Sequence, residues 1–242
     1  MKLIKASYKI LTPIDGEKIL KQIELAARTC YKSNDKIEYE DTAPNFDTIN
    51  IKDYYAKSAR VLIPKLMNLN HEAMLEFGGM ITVRFIVDRG VSHELVRHRV
   101  ASFAQESTRY CNYGKDEHIS FIIPCFRPTI TEGVYEDSTD STPSWAQLDG
   151  SNYMWYQHML DSENVYNCMI RHGWTPQQAR SVLPNSLKTE INVSANIREW
   201  RHIFKLRTAK EAHPQMKEVM IPLLNEFKSK IPLLFDDILK DE

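Results

Sequence analysis

Between Arg97 and Tyr110 the chain reads Arg-His-Arg-Val-Ala-Ser-Phe-Ala-Gln-Glu-Ser-Thr-Arg-Tyr. Arg97, His98 and Arg99 put three side chains able to carry positive charge side by side. Seven residues then separate Arg99 from Ser107, and Arg109 follows two positions later. The whole protein carries 31 Lys+Arg against 32 Asp+Glu, for a formal net charge of -1. The cluster is therefore a local demand and not the reflection of a basic chain. The planar fork of arginine matches phosphate and carboxylate oxygens, so the run points to a strongly anionic ligand. A solvated helix face with surface ion pairs is the competing reading, and the run alone does not choose between them.

A second arginine makes a sharper physical demand. Trp200, Ile203 and Phe204 define the apolar face of a helix expected after Asn196. Residue 207, four after Ile203 and seven after Trp200, shares that face. A guanidinium there must find an anionic or carbonyl partner, or carry a steep desolvation cost. A structural salt bridge would satisfy it, and so would a ligand. On the same helix His202 lies four residues after Arg198, so one ligand can touch both.

The elements that position these residues are readable in outline. Met80 to Val87 is apolar and β-branched and predicts a mostly buried strand. Asp88-Arg89-Gly90 breaks it, and Ser92 is expected to cap a following helix carrying Glu94, Arg97 and Arg99, so that the cations sit on rigid scaffold. The N-terminal stretch to Leu11 reads as a first strand. Amphipathic helices are expected over Glu17–Cys30 and over Asp53–Leu69, the latter kinked or restarted at Pro64. Ile119–Ile123 is a short strand ended by Pro124. Residues 128–152 are polar and without period, and predict a long surface loop.

Tyr153–His172 has a helical stripe through Trp155, Met159, Tyr166, Met169 and Ile170, with Gly173 as its stop. Thr175-Pro176 opens another helix, with Thr as cap, which Pro184 ends. Lys188–Ala195 alternates as a strand, and Asn196 followed by Glu199 resembles a capping box. A packing helix begins near Pro214, its end left open by Pro222. Helices outnumber strands without alternating with them. The fold class is α+β, mixed helices around a small sheet, with residues 1–242 as a single domain.

Hydrophobic content of 43% and charged content of 26% are ordinary for a soluble globular protein. No apolar run is long enough to cross a bilayer, and Lys5, Ser7 and Lys9 interrupt what would be a signal peptide's centre. Cys30, Cys111, Cys125 and Cys168 are widely spaced, with no zinc pattern, so reduced thiols, no metal and a cytoplasmic setting are expected. With 8 glycines and no G-x-G-x-x-G after a strand, a Rossmann pyrophosphate turn is excluded.

Arg-His-Arg, seven residues, then Ser and a closing Arg-Tyr resembles the signature of the flavin-dependent thymidylate synthases. His71-Glu72 with Glu76 lies upstream. Ala179-Arg180 with Leu183-Pro184, then Asn196-Ile197-Arg198 with Leu206-Arg207, follow downstream in the family's order. The resemblance implies that dUMP is methylated to dTMP, with methylenetetrahydrofolate as carbon donor and FAD, reduced by NADPH, as hydride donor. It further implies a homotetramer with sites shared between subunits. Since no Rossmann turn is present, arginines and backbone amides would hold the FAD phosphates.

Carried over position by position, Arg207 contacts the uracil ring and favours ionisation at N3, and Ser107 lies against the pyrimidine. The dUMP site would comprise Glu94, Leu95, Val96, Arg97, Gln105, Glu106, Ser107, Thr108, Arg109, Arg180 and Arg207, with Arg109 on the phosphate. The FAD site would comprise His71, Ala73, Arg97, His98, Arg99, Gln105, Asn196, Ile197, Arg198 and His202. Members of that family often carry Arg-Gln where this chain has His93-Glu94, and a carboxylate cannot donate to a uracil carbonyl as an amide does. Some carry an amide side chain at the position of His202. Two rivals remain beside this reading. One is an inactive relative that keeps the fold. The other is a phosphate-reading nucleic-acid binder, which the neutral overall charge disfavours.

Overall fold

The computed structural model describes residues 1–33, 35, 57–136, 142–147 and 149–239. Its strands are β1 (Lys2–Ile4), β2 (Ser7–Ile10), β3 (Met80–Asp88), β4 (Ser102–Gln105), β5 (Ser120–Ile122), β6 (Gly133–Val134) and β7 (Lys188–Asn196). An antiparallel sheet in the order β2-β3-β7-β4 is the frame on which the rest is hung. The alternation of β3 and β7 sends Ile81, Val83, Phe85 and Val87 to the same buried side as Ile191, Val193 and Ala195. The register pairs Phe85 with Ile191 and Val83 with Val193, so the two apolar rows coincide.

Helix Ile197–Arg207 leaves β7 directly and folds back over that buried side. Asn196 Oδ1 accepts the backbone N–H of Glu199 at 2.9 Å, the expected cap. Trp200 Nε1 donates to the Ile81 carbonyl at 3.0 Å and pins the helix to β3. Trp200, Phe204, Phe227 and Phe235 stack at 5.1 to 5.8 Å between ring centroids, joining this helix to helices Pro214–Lys230 and Pro232–Phe235. Helix Gly16–Cys30 packs Ile19, Leu20 and Ile23 into the same core. A second, smaller core forms where β1, β5 and β6 meet helix Gly150–Arg171, around Leu3, Phe121, Tyr156 and Tyr166.

Several expectations are corrected. The N-terminal stretch is two strands in different sheets, because β1 pairs in parallel with β5 while β2 pairs with β3. Helices Lys57–Asn68 and Pro214–Lys230 pass through Pro64 and Pro222. In the second, burial of Met216, Val219, Met220, Leu223, Leu224 and Phe227 holds the helix together across the missing N–H. Residues 53–56 of the expected Asp53–Leu69 helix lie outside the described residues. The stretch 128–152 is only in part a surface loop. It contains β6, the short helix Ser144–Gln147 and the start of the long helix at Gly150, and it buries Ile130, Trp145 and Ala146. Its residues 137–141 and 148 are outside the described set.

Candidate active site

The strand β3 runs into the short helix Arg89–Leu95, whose cap is Asp88: its Oδ1 accepts the Val91 N–H at 2.7 Å. Ser92, expected as that cap, lies one turn inside, fully buried, with its hydroxyl donating to the Arg89 carbonyl. The Asp of Asp88-Arg89-Gly90 was the sequence signal for this start. Because the helix begins early, it also ends early, at Leu95. Arg97, His98 and Arg99 therefore stand on the turn beyond it and not on its face, with the Arg97 and His98 N–H groups returning to the Glu94 and Leu95 carbonyls. The turn points the three side chains in different directions. Arg97 and Arg99 are exposed, and neither guanidinium is held by a hydrogen bond or ion pair among the described residues. His98, 4% exposed, faces the interior.

There it meets Arg207. Arg207 Nε donates to His98 Nε2 at 3.0 Å, one terminal nitrogen donates to Glu94 Oε2 at 2.7 Å, and the other donates to the Glu94 carbonyl at 2.8 Å. The partner demanded by residue 207's place on the apolar face is thus supplied from the other end of β3. On its far side, His98 Nδ1 lies 3.5 Å from Glu199 Oε1, and the His202 ring stands edge-on to it at 5.6 Å. Burial, then the Arg207 charge and then His202, push the His98 imidazole down to about 4. Burial raises the Glu199 carboxyl.

Glu199 also lines a hollow of about 410 Å³, together with Glu72, Glu76, Val100, Asn196, Arg198, Arg201, His202 and Lys205. Arg198 pairs with Glu76 at 2.7 Å, and the buried Arg201 forks onto Asp237 through two bonds of 2.7 Å. His71 and Ala73, on either side of Glu72, are exposed and do not line this hollow, and His71 shares a 2.7 Å hydrogen bond with the Tyr31 hydroxyl. His98, Glu199 and His202 offer ligand atoms within 4.8 Å of one another, a spacing compatible with a metal ion. Arg207 donates into His98 Nε2, however, so only Nδ1 could bind a cation, with a permanent positive charge on the opposite nitrogen. The donor set therefore fits an imidazole held between the Arg207 bond and the Glu199 carboxylate better than a metal.

A second hollow, of about 270 Å³, opens on the other side of the Arg89–Leu95 helix. It is lined by Arg89, His93, Thr108, Arg180, Ser181, Leu183, Pro184, Asn185 and Leu187. Arg180 donates to the Thr108 hydroxyl at 3.2 Å, and Arg109 donates to Gln177 at 3.2 Å while its guanidinium stacks on Tyr110. Ser107 Oγ accepts the Arg109 N–H at 3.2 Å, which shapes the turn after β4. Arg89 donates to the Glu106 carbonyl, and its buried Nε has no partner among the described residues.

Other expected site residues are held by the protein itself, and Gln105 and Glu106 line a third, open hollow of about 620 Å³ with Arg84, Lys188, Glu190 and Asn192. The Glu106 carboxylate is bound by Lys188 at 3.0 Å and by the Glu190 N–H at 3.3 Å. Burial alone would raise it, but the nearby Tyr113 hydroxyl and the bond from Lys188 hold it below its ordinary value. Gln105 donates to Ser92 and Thr189. Leu95 and Ile197 are core side chains, so only their main chain is available to a ligand, whereas Val96 is exposed. In the sequence Arg89 reads as part of a strand break, His93 as a departure from the family's Arg and Glu199 as part of a helix cap, and none is expected as a site residue. The structure puts Arg89 and His93 in the wall of the same hollow as Arg180.

The chain Glu199–His98–Arg207–Glu94 thus runs from the wall of one hollow to the residue beside His93, which lines the other. Its inner histidine has a consequence for stability. An unfolded His98 takes a proton below its ordinary 6.5, whereas the folded imidazole resists until about 4. Stability is therefore fully present above pH 6.5 and is expected to fall as the pH drops towards 4. Thermal melts across that window check this, and a His98→Gln variant should show a shallower decline.

Comparison with known proteins finds relatives over most of the chain. A family model described as thymidylate synthase complementing protein matches residues 15–233. The flavin-dependent thymidylate synthase of Corynebacterium aurimucosum is 30% identical over 220 residues, covering 89% of this chain and 78% of that protein. That of Geobacter sulfurreducens is 29% identical over 215 residues, covering 89% and 80%. The crystal structure of the UMP/dUMP methylase PolB from Streptomyces cacaoi, bound with 5-Br dUMP, superposes with a TM-score of 0.71 at 21% identity. It covers 98% of this chain and 96% of that one, and so shares the α+β fold. Two arginine-bearing hollows joined by a buried histidine therefore belong, on sequence relationship over most of the chain, to a member of the flavin-dependent thymidylate synthase family.

Proposed function

We propose that this protein methylates dUMP to dTMP, taking the carbon from methylenetetrahydrofolate and using an FAD that NADPH reduces. The observation that carries the reading is the clamp on Arg207, a cation held at all three of its nitrogens between the two hollows. A fixed cation is what a pyrimidine needs at its N3 edge, because stabilising the ring anion makes C5 more nucleophilic without a covalent bond to the enzyme. Three of the guanidinium's five N–H groups are used by the protein, which leaves two for the ring.

In this reading Arg180 and Arg109 hold the substrate phosphate, with Arg89, whose buried Nε lacks a partner among the described residues, in the same hollow as Arg180. Arg97 and Arg99 fit FAD phosphates because they are exposed cations without a counter-ion among the described residues. Asn196, Arg198 and His202 line the flavin side. When bound, FAD supplies the hydride that completes the methyl group. The chain acts as a single domain within a homotetramer in the cytoplasm, and the outward face of the main sheet, with Arg84, Glu190 and Asn192 on it, is the surface available for subunit contact. No helix among the described residues is long and apolar enough to cross a membrane.

Mixing the purified protein with dUMP, methylenetetrahydrofolate, NADPH and FAD tests the reading directly. dTMP should form, and omission of FAD from flavin-stripped protein should abolish it; formation independent of flavin would refute the proposal. A further expected outcome concerns the thiols. Cys30, Cys111, Cys125 and Cys168 are free, and burial pushes the Cys125 thiol up, away from the thiolate form. A variant with all four replaced by serine or alanine should keep flavin-dependent dTMP formation. Loss of turnover in a folded, FAD-bound form of that variant would mean that a cysteine attacks the ring.

A further inference from the structure

We propose that His98 is a positioning residue for Arg207, acting as a neutral hydrogen-bond acceptor that fixes the plane of the guanidinium, with Glu199 holding the imidazole in the required tautomer. The proposal rests on the reading of Arg207 as the group that activates the pyrimidine. Arginine only donates, so the 3.0 Å hydrogen bond from Arg207 Nε requires a bare lone pair on His98 Nε2. The imidazole proton must then sit on Nδ1, which faces Glu199 Oε1 at 3.5 Å. His98 is 4% exposed and Glu199 7%, so water does not compete for either nitrogen.

The geometry assigns separate tasks to the two partners of Arg207. Glu94 grips the outer nitrogens, through its carboxylate and its carbonyl. Of these two bonds, the one to the 40% exposed Glu94 side chain can shift and the one to the main-chain carbonyl cannot, so the outer grip alone leaves the guanidinium plane free to turn about the carbonyl contact. A bond at Nε removes this freedom, because the Nε–H lies in the guanidinium plane and adds a third fixed contact along a different edge from the outer pair. The chemical type of the acceptor matters too. A second carboxylate at the position of His98 would neutralise the cation that must stabilise the ring anion. A neutral imidazole orients the charge and leaves its magnitude alone, and burial together with Arg207 and His202 keeps it neutral.

His98 thus belongs to the activation of the pyrimidine and not, through its ring nitrogens, to the binding of flavin. It stands between two exposed arginines that do face outward, which is why its role is not visible in the Arg-His-Arg run.

The test is a double-mutant cycle with a conservative rescue, made on FAD-loaded enzyme. His98→Leu should lower kcat for dTMP formation roughly 10- to 100-fold, the range expected when one hydrogen bond to a charged group is removed. The KM for dUMP and the FAD content should change little. His98→Gln, whose side-chain oxygen can reach Arg207 Nε, should recover most of the loss. In an Arg207→Ala background, His98→Leu should cost nothing further.

An undiminished kcat in His98→Leu overturns the proposal, and so does an equal loss in the Arg207→Ala background. A loss that tracks FAD content in both His98 variants also overturns it, by making His98 a flavin ligand. The Arg207 Nε–H resonance, assigned by its disappearance in Arg207→Ala, provides a readout independent of turnover. It should exchange slowly in the unsubstituted protein and quickly in His98→Leu, and an unchanged exchange rate overturns the positioning role. If the unsubstituted protein makes no dTMP, the functional reading fails, and this measurement alone decides whether His98 positions Arg207.

Discussion

Replacing Arg207 by alanine should lower kcat for dTMP formation by about two to three orders of magnitude, the usual cost of removing a preorganised group that stabilises developing charge. The KM for dUMP should move much less, because the ring anion that needs the cation is developed chiefly in the chemical step and not on binding. The structure sharpens this expectation. Arg207 is already fixed by Glu94 and His98 before any ligand arrives, so no reorganisation is needed when charge appears on the ring. Steady-state kinetics on the purified, FAD-loaded variant checks both constants. Normal turnover would remove Arg207 from the chemistry and leave it as a salt bridge tying helix Ile197–Arg207 to helix Arg89–Leu95.

That structural role also exists, and it can be separated from the catalytic one. Removing Arg207 leaves Glu94, 40% exposed, to solvent, whereas His98 Nε2 remains buried without a donor. A modest fall in thermal stability is expected beside the kinetic loss. Arg207→Lys restores the charge but not the fork, and a lysine cannot satisfy His98 and both Glu94 oxygens at once. It should regain stability more than turnover.

The second large effect belongs to the cations that the protein leaves unpaired. Arg97→Ala with Arg99→Ala should weaken FAD binding by about two to four orders of magnitude, taking roughly 1.5–3 kcal/mol for each charge-assisted hydrogen bond to phosphate that the double variant cannot make. Stability should hardly change, since both side chains are exposed and pair with nothing among the described residues. Titration followed by flavin fluorescence measures the affinity, and thermal melts of the flavin-free protein measure stability. Unaltered FAD affinity in a stable double variant would mean that these arginines face a different anion. The contrast with Arg201 is instructive. That arginine, 2% exposed and forked onto Asp237, holds the C-terminal segment to helix Ile197–Arg207, and its replacement should unfold this corner before it affects any ligand.

How much of this was legible in the sequence depends on the range of the interaction involved. The β-branched run from Met80, the stripe from Trp200 to Phe204 and the Asn196 cap are set by neighbours within a turn or two, and each formed as expected. The same local rule said that residue 207 lies on an apolar face and must be paired. At the start of the next helix the local reading misled: Ser92 is the expected cap, but Asp88, nearer to the strand, is the cap because its carboxylate reaches the Val91 N–H. Periodicity also could not show that Lys5 and Ala6 divide the N-terminal stretch between two sheets, since each half reads as a strand.

The partners of the charged groups were beyond the sequence altogether. Glu94 and His98 stand 113 and 109 residues from Arg207, and Lys188 stands 82 from Glu106. The sequence by itself determined that this protein carries an arginine cluster without a compensating charge, on a frame of α+β elements, with one arginine forced towards the core. Only the tertiary structure decided which arginines are free and which are clamped. Those pairings depend on the antiparallel register of β3 with β7, and a register is chosen by how two distant apolar rows pack together, which no single stretch of chain encodes.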